Sequence, residues 1–408
     1  MRSRKNEKHV ITKEEVYAHS EDWLSAALKL EQEGRKCTTS VVLRILLISA
    51  SRVVSVFAAC QSLADAPCSR AVFNALSASL PDMKTLQRQL NRSLCHRLPK
   101  ALFRRSRILA IDLTLIPYHG KPALDISEIF RSKPKSGTSH FHAYATAAVL
   151  HHGHRYTVAL MHVPAGTNMK DVVQQLVQII RRRGIKLRHL LLDKGFYSVG
   201  VLSYLKRAKL GYVVPVALRG RKKKDKKAPP SGMRALLKQK NGYYQQTITG
   251  QDGKRKSAQL TIKVCVASKA YLHEKTGKRR CKKLLYAISK VHWTWKEIHE
   301  LYRKRFGIET TYRQMNEARI KTCTRDPRLR LLFVAIALVL RNVWVWIHFQ
   351  LAKNKQRAEP QVLLELLSFG TMLLWITLIV QAALGADKIQ GIERETYERV
   401  AAKAEQRS

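Results

Sequence analysis

The chain has 408 residues, more than one small domain needs, and 45% of them are hydrophobic, which excludes a chain disordered throughout. Lys and Arg number 75 against 29 Asp and Glu, a formal net charge of +46. A folded chain with that self-repulsion calls for a polyanion, and nucleic acid comes ahead of an anionic membrane surface.

Residues 1–36 are polar and charged and read as a loose arm followed by a helix. No apolar run follows the N-terminal MRSRKNEKHV, so no signal peptide is expected. Residues 38–100 carry apolar positions at three- and four-residue spacing, which predicts helices. Within them SVFAACQSLADAPCSRAVFNALS reads as a helix, a turn at Asp65 and Pro67, and a second helix opened by Ser69, a layout that suits a helix-turn-helix.

The pattern then changes. RILAIDLTLIP is a strand-type run, and HAYATAAVLHHGHRYTVALMHVP reads as two strands around a turn at Gly153. Asn168 to Arg183 is an amphipathic helix ended by Gly184. LRHLLLDKGF is a buried strand, followed by a helix from Val199 to Lys209 and the strand GYVVPVAL. Three strands in a row followed by alternating helices and strands predict a mixed α/β sheet with helices on its faces.

The stretches RGRKKKDKKAPPSG and EKTGKRRCKK are charge-dense and loop-like, with strand-type runs between and beyond them. They predict a β-rich basic insertion. Lys222–Lys224 with Lys226–Lys227 reads as a solvated, phosphate-contacting loop. Thr294 then caps a single long helix through WKEIHELYRKRFGIETTYRQMNEARI.

Two apolar stretches lie toward the C-terminus. Leu331–Leu340 is bracketed by Arg330 and Arg341, whereas Leu366–Leu384 carries no charge over a length that could span a bilayer or form a buried helix. Seven scattered cysteines without a CxxC pair argue against a zinc site or a disulfide framework and fit a reducing cytosol.

Carboxylates are scarce, so those that interrupt apolar strands are informative. Asp112 sits inside AIDLTLIP, and Asp193 ends LLLD, at the strand end where α/β sheets bind ligands. Glu309 lies on the long helix, on a face shared with Arg305 and Arg313 at four-residue spacing, with Tyr302 one turn back. Three carboxylates suit two hard divalent ions in phosphodiester cleavage, with the nearby Lys and Arg holding DNA phosphates. Each acid also has a plainer role open to it: a buried ion pair or cap for Asp112, a turn residue before Gly195 for Asp193, an exposed ion pair with Arg305 for Glu309.

Tyr302, Arg305 and Glu309 in YRKRFGIE, with AIDLTLIPYHG and LLLDKGFYS, resemble the ordered motifs of DDE transposases of bacterial and archaeal insertion sequences. The branch is the one with a Tyr-x2-Arg-x3-Glu-x6-Lys signature, and the resemblance spans roughly residues 105–345. It implies a ribonuclease-H-like α/β fold, with flanking helices, a β-rich insertion at about 216–292, a helical region at 1–100 and another at 346–408. It implies catalysis and metal binding by Asp112, Asp193 and Glu309 with Mg²⁺, for which Mn²⁺ would substitute. The partners implied are terminal inverted repeats, target DNA and a second copy in a synaptic dimer, in the prokaryotic cytoplasm at the nucleoid and without a membrane. Tyr302, Arg305, Arg313, Arg319, Lys321, Lys194 and Trp293 are the expected DNA-contacting residues. The signature Lys falls on Asn316, and Arg313, Arg319 or Lys321 is left to take its role.

Rival readings are a DNA-binding protein without catalysis, a basic membrane-anchored protein, and a rolling-circle-type nickase using His140 and His142 with a tyrosine among Tyr144, Tyr197 and Tyr302. Asp125, Glu128 and Asp171 lie in loop or helix-start contexts that favour caps and solvated charges. Trp293 and Trp295 stand where they could stack on a base or pack the insertion onto the core.

Overall fold

The computed structural model describes residues 11–30, 34–121, 126–151, 154–219, 231–253, 255–274, 277–352 and 367–386. The basic run 220–230, Asp125 and the Gly153 turn lie outside them. Two compact units form, one from residues 1–93, 314–347 and 363–408, the other from 94–313 and 348–362.

The first unit is helical. Its N-terminal part holds α1 (Lys13–Ser25), α2 (Thr39–Ser51), α3 (Val56–Ser62), α4 (Ser69–Ser79) and α5 (Met83–Leu94). The start of α1 is fixed by a capping box, in which Thr12 and Glu15 satisfy each other's backbone N–H. The helix opened by Ser69 is α4, so α3 and α4 form the helix pair expected around Asp65 and Pro67. The C-terminal part adds α11 (Pro327–Ala352) and α12 (Phe369–Leu384).

The apolar stretches exchange roles relative to expectation. The helix long and apolar enough to cross a bilayer is α11, over Pro327–Phe349, but 94% of its most apolar window is buried within the protein. Its bracketing arginines are buried too: Arg330 donates to the Thr324 carbonyl at 3.0 Å and Arg341 to Gln314 Oε1 at 3.3 Å. The charge-free 366–384 segment yields only the 16 residues of α12, short of the roughly 20 needed to span. That helix packs on α1 and α2, with a Ser51–Thr377 hydroxyl contact of 2.8 Å.

The second unit is built on one nine-stranded mixed sheet. After the short α6 (Ala101–Arg104) come β1 (Arg107–Pro117), β2 (Phe130–Lys135), β3 (Thr138–His151), β4 (His154–Val163), α7 (Met169–Arg182), β5 (Leu187–Leu192), α8 (Val199–Arg207) and β6 (Gly211–Pro215). Strands β1, β3 and β4 are antiparallel neighbours, and β5 and β6 continue the sheet parallel to β1. The core order is therefore β4-β3-β1-β5-β6, with β2 extending the β3 edge. β2 was not anticipated, because RSKPK lacks the β-branched and aromatic residues that mark strands.

The insertion comprises β7 (Gly242–Asp252), β8 (Arg255–Leu272) and β9 (Arg279–Ser289). It is not a separate layer: β9 pairs with β6, so the insertion prolongs the same sheet. The basic EKTGKRRCKK stretch, expected as loop, contributes its Arg279–Lys283 half to β9. Helix α9 (Trp295–Arg303) starts at a Thr294–Glu297 capping box and packs on β8. The single long helix expected here breaks. Lys304–Phe306 tighten into a 3-10 turn, and α10 (Gly307–Asn316) begins afresh. A buried cluster of Ala110, Leu191, Val213, Tyr286, Ile298, Tyr302 and Ile308 glues α9 and the start of α10 to the sheet.

Candidate active site

Strand register sets the site. The parallel β1–β5 pairing ends at Ile111↔Leu192, so Asp112 and Asp193 follow side by side where the two strands leave their ladder. Apolar residues precede both: Leu109, Ala110 and Ile111 on one strand and Leu190, Leu191 and Leu192 on the other are buried, which anchors the acids against sliding. Each carboxylate then has one oxygen tied locally. Asp112 Oδ1 accepts the Leu113 N–H at 2.9 Å, and Asp193 Oδ2 accepts the Gly195 N–H at 3.4 Å, capping a 3-10 turn over Lys194–Phe196. The plain turn role foreseen for Asp193 is thus one that it fills.

The remaining oxygens share one cation. Arg305 Nη1 donates to Asp112 Oδ2 at 3.0 Å and Nη2 to Asp193 Oδ1 at 3.1 Å. The arginine side chain is 5% exposed, against 15% for Asp112 and 42% for Asp193, so the pair opens to solvent on the Asp193 side. Tyr302 and Phe306 place their rings 5.4 and 5.6 Å from the guanidinium carbon. The Tyr302 hydroxyl donates to the Leu192 carbonyl at 3.4 Å and so fixes α9 to the end of β5.

Burial pushes the Asp112 carboxyl up to about 6; the Arg305 charge opposes this and the Asp193 charge adds to it. The same neighbourhood holds Tyr312, which sequence reasoning missed. Its hydroxyl lies 2.7 Å from Thr146 Oγ1, and Thr146 is the residue paired with Asp112 across the β1–β3 ladder. Burial, and then the Asp112 charge, push the Tyr312 phenol well above its ordinary value. A tyrosine three residues past the glutamate on a helix was the available signal.

The other expected residues divide. Glu309 stands exposed in the first turn of α10, four residues beyond Arg305, and makes no ion pair with Arg305. Among the described residues, no three His, Cys, Asp or Glu groups stand close enough to hold a metal ion. Lys194 and Arg313 are exposed. Tyr302 and Arg305 are buried and engaged with protein groups. Trp293 packs on the sheet core, 4.7 Å from the His189 ring, with Arg188 over it and its carbonyl accepting from Tyr243. Arg319, whose Nε donates to Asn316 Oδ1 at 3.2 Å, and Lys321 belong to the helical unit. His142 is buried edge-on to Tyr118, and Glu128 pairs with His162 at 3.0 Å. Neither arrangement joins His140 and His142 in a metal cluster.

The donor set at Asp112 and Asp193 fits a hard divalent cation: two carboxylates, already converging on one cationic group, just past the last β1–β5 pair.

The strand order β4-β3-β1-β5-β6, with one acid inside β1 and the other just past β5, defines a ribonuclease-H-like α/β fold. The model of the transposase DDE domain matches residues 104–342, and the chain belongs to that family: it is a DDE transposase, an enzyme of DNA transposition. DNA cleavage and strand transfer are typical of the family, as is the use of a divalent metal. Among solved structures, the fold is similar to that of a piggyBac transposase in a synaptic complex with hairpin DNA. The TM-score is 0.51 at 12% identity, covering 95% of this chain and 82% of that one. No curated protein sequence matches the chain.

Proposed function

We propose that this transposase belongs to the insertion-sequence branch with the Tyr-x2-Arg-x3-Glu-x6-Lys signature, and that Asp112, Asp193 and Glu309 are its catalytic acids. The observation that carries this reading is the convergence on one cation of Asp112, inside β1, and Asp193, just past the end of the parallel neighbour β5. The two aspartates would hold Mg²⁺, or Mn²⁺ in its place, with Glu309 from the first turn of α10 completing the set. A bound divalent ion supplies Lewis-acid stabilisation of charge on the phosphodiester and on the attacking oxygen. The chain's own part is to bind and orient. Exposed Lys194 and Arg313 attract phosphates beside the acids.

The substrate of this reading is terminal inverted repeats and target DNA, handled by a synaptic homodimer at the nucleoid of a prokaryotic cytoplasm. Its divisions are those read from the sequence: residues 1–100 with α3 and α4 as a helix-turn-helix, a catalytic region at 105–345 with the insertion at 216–292, and helices at 346–408.

The test is cleavage of supercoiled plasmid carrying the ends, scored for nicked and joined products in Mg²⁺ and in EDTA. Wild type cuts only with the metal. Glu309→Gln binds the DNA and loses about 10²-fold or more in rate, as removal of one group acting on transition-state charge does. Cutting by Glu309→Gln at the wild-type rate would sink the three-acid assignment.

A further inference from the structure

We infer that Arg305 is an internal counter-ion that holds the Asp112–Asp193 pair closed to divalent cations until DNA is bound, so that ion loading is conditional on DNA. The inference rests on the reading of those two aspartates as ion ligands.

The geometry is that of a place-holder. Arg305 does not grip one carboxylate with both nitrogens, the usual fork-to-fork match. It spreads across two, taking one oxygen of each at 3.0 and 3.1 Å. These are the oxygens left over after Leu113 and Gly195 bind the others, and so the ones an ion shared between the acids would use. A guanidinium does not leave by losing its proton. A divalent ion and Arg305 would therefore compete for the same two carboxylate oxygens, and one cation must give way.

Besides the acids, the guanidinium meets the Tyr302 side chain, hydroxyl included, and the Phe306 ring, and its buried Nε has no hydrogen-bond partner. That orphaned donor is a standing cost which a new acceptor would remove. The backbone under Arg305 is the three-residue 3-10 turn between α9 and α10, a local break of the kind that marks hinges. A DNA phosphate offers the guanidinium a planar, doubly accepting destination, with exposed Lys194 and Arg313 nearby in sequence to bring one in. Linkage makes the effect reciprocal: DNA that draws Arg305 away must tighten the ion, and the ion must tighten the DNA.

The experiment measures Mn²⁺ binding by the free-ion electron paramagnetic resonance signal. The full chain is used, alone and with a terminal-repeat duplex blocked by 3′-dideoxy ends. Wild-type affinity should rise at least about fivefold on adding DNA, the lower end of ordinary coupling between sites. Arg305→Gln should bind Mn²⁺ at least about fivefold more tightly than wild type without DNA and gain little from adding it. Arg305→Lys, which keeps the charge but cannot bridge both acids, should fall between. A merely structural arginine would leave the affinity unchanged or weaken it when replaced, and either result overturns the inference. So does a wild-type affinity indifferent to DNA, an arm that needs no variant to fold. Asp112→Asn separates the underlying reading: it should abolish tight Mn²⁺ binding in both backgrounds. Retained binding there overturns the ligand assignment itself, and the role of Arg305 with it.

Discussion

At the scale of residues, Asp112 carries opposing demands. It must be ionised to act, yet it sits where burial favours the neutral acid and raises its pKa to about 6. Its unfolded value is about 3.9, so the folded state binds the proton more tightly. The stability drawn from that binding is full below about pH 4 and is lost as pH rises through about 6. In EDTA at pH 7, Asp112→Asn should therefore stabilise the fold by an amount on the order of 1 kcal/mol and raise the melting temperature, and the gain should shrink at pH 5. Thermal melts of both proteins at the two pH values decide it; an equal gain at both would remove burial of the charge as the cause. The position of this residue was legible because a carboxylate inside AIDLTLIP has no cheap place to go. The inward aim of Arg305 was not legible, since sequence spacing gives a helix face but not the tertiary partner on it. The Thr146–Tyr312 contact was hidden for a related reason: it depends on the β1–β3 register.

At the scale of elements, the break between α9 and α10 decides where Arg305 and Glu309 point. The 3.6-residue pattern of WKEIHELYRKRFGIETTYRQM runs through it unbroken, which is why one helix was expected. Gly307 was the visible hint. A Cβ there would run into the Arg155 guanidinium, so the glycine makes room for an arginine from β4 to lie against the helix start. Burial lowers the Arg155 pKa, as expected of a cation packed beneath backbone. Gly307→Ala should cost about 1–3 kcal/mol, the usual price of overpacking, and should lower cleavage by shifting the Arg305–Glu309 turn. An Arg155→Ala background should recover most of that loss in a denaturant titration. If the cost is the same in both backgrounds, Arg155 is not what excludes the side chain. Elsewhere periodicity served well: β1 has the bounds of RILAIDLTLIP, and α7 starts after the Asn168 cap. What it missed was pairing, because no local pattern says that β9 joins β6 and carries the insertion into the main sheet.

At the scale of the whole molecule, a net charge of +46 has to be reconciled with a fold that places like charges together. The exposed outer half of the β8–β9 hairpin shows this most directly. Lys269 faces Lys282 across the ladder, and Arg279 and Arg280 continue the basic strip beside Leu272 and Tyr271. Directly opposed like charges destabilise a strand pair by several tenths of a kcal/mol, so a polyanion that covers the strip relieves strain as well as gaining contacts. DNA affinity should accordingly fall steeply with salt, with log K declining by about 0.9 per phosphate neutralised for each unit of log salt. Lys269→Gln with Lys282→Gln should reduce that slope by about 2 and weaken binding evenly across DNA sequences. The same change should leave the apo protein as stable as wild type or slightly more so, since the repulsion is gone. Fluorescence anisotropy of end-containing and random duplexes over a salt series, with a melt of each apo protein, measures all three. A slope unchanged by the double substitution would mean that the hairpin does not touch DNA, and the charge relief must then come from the rest of the basic surface.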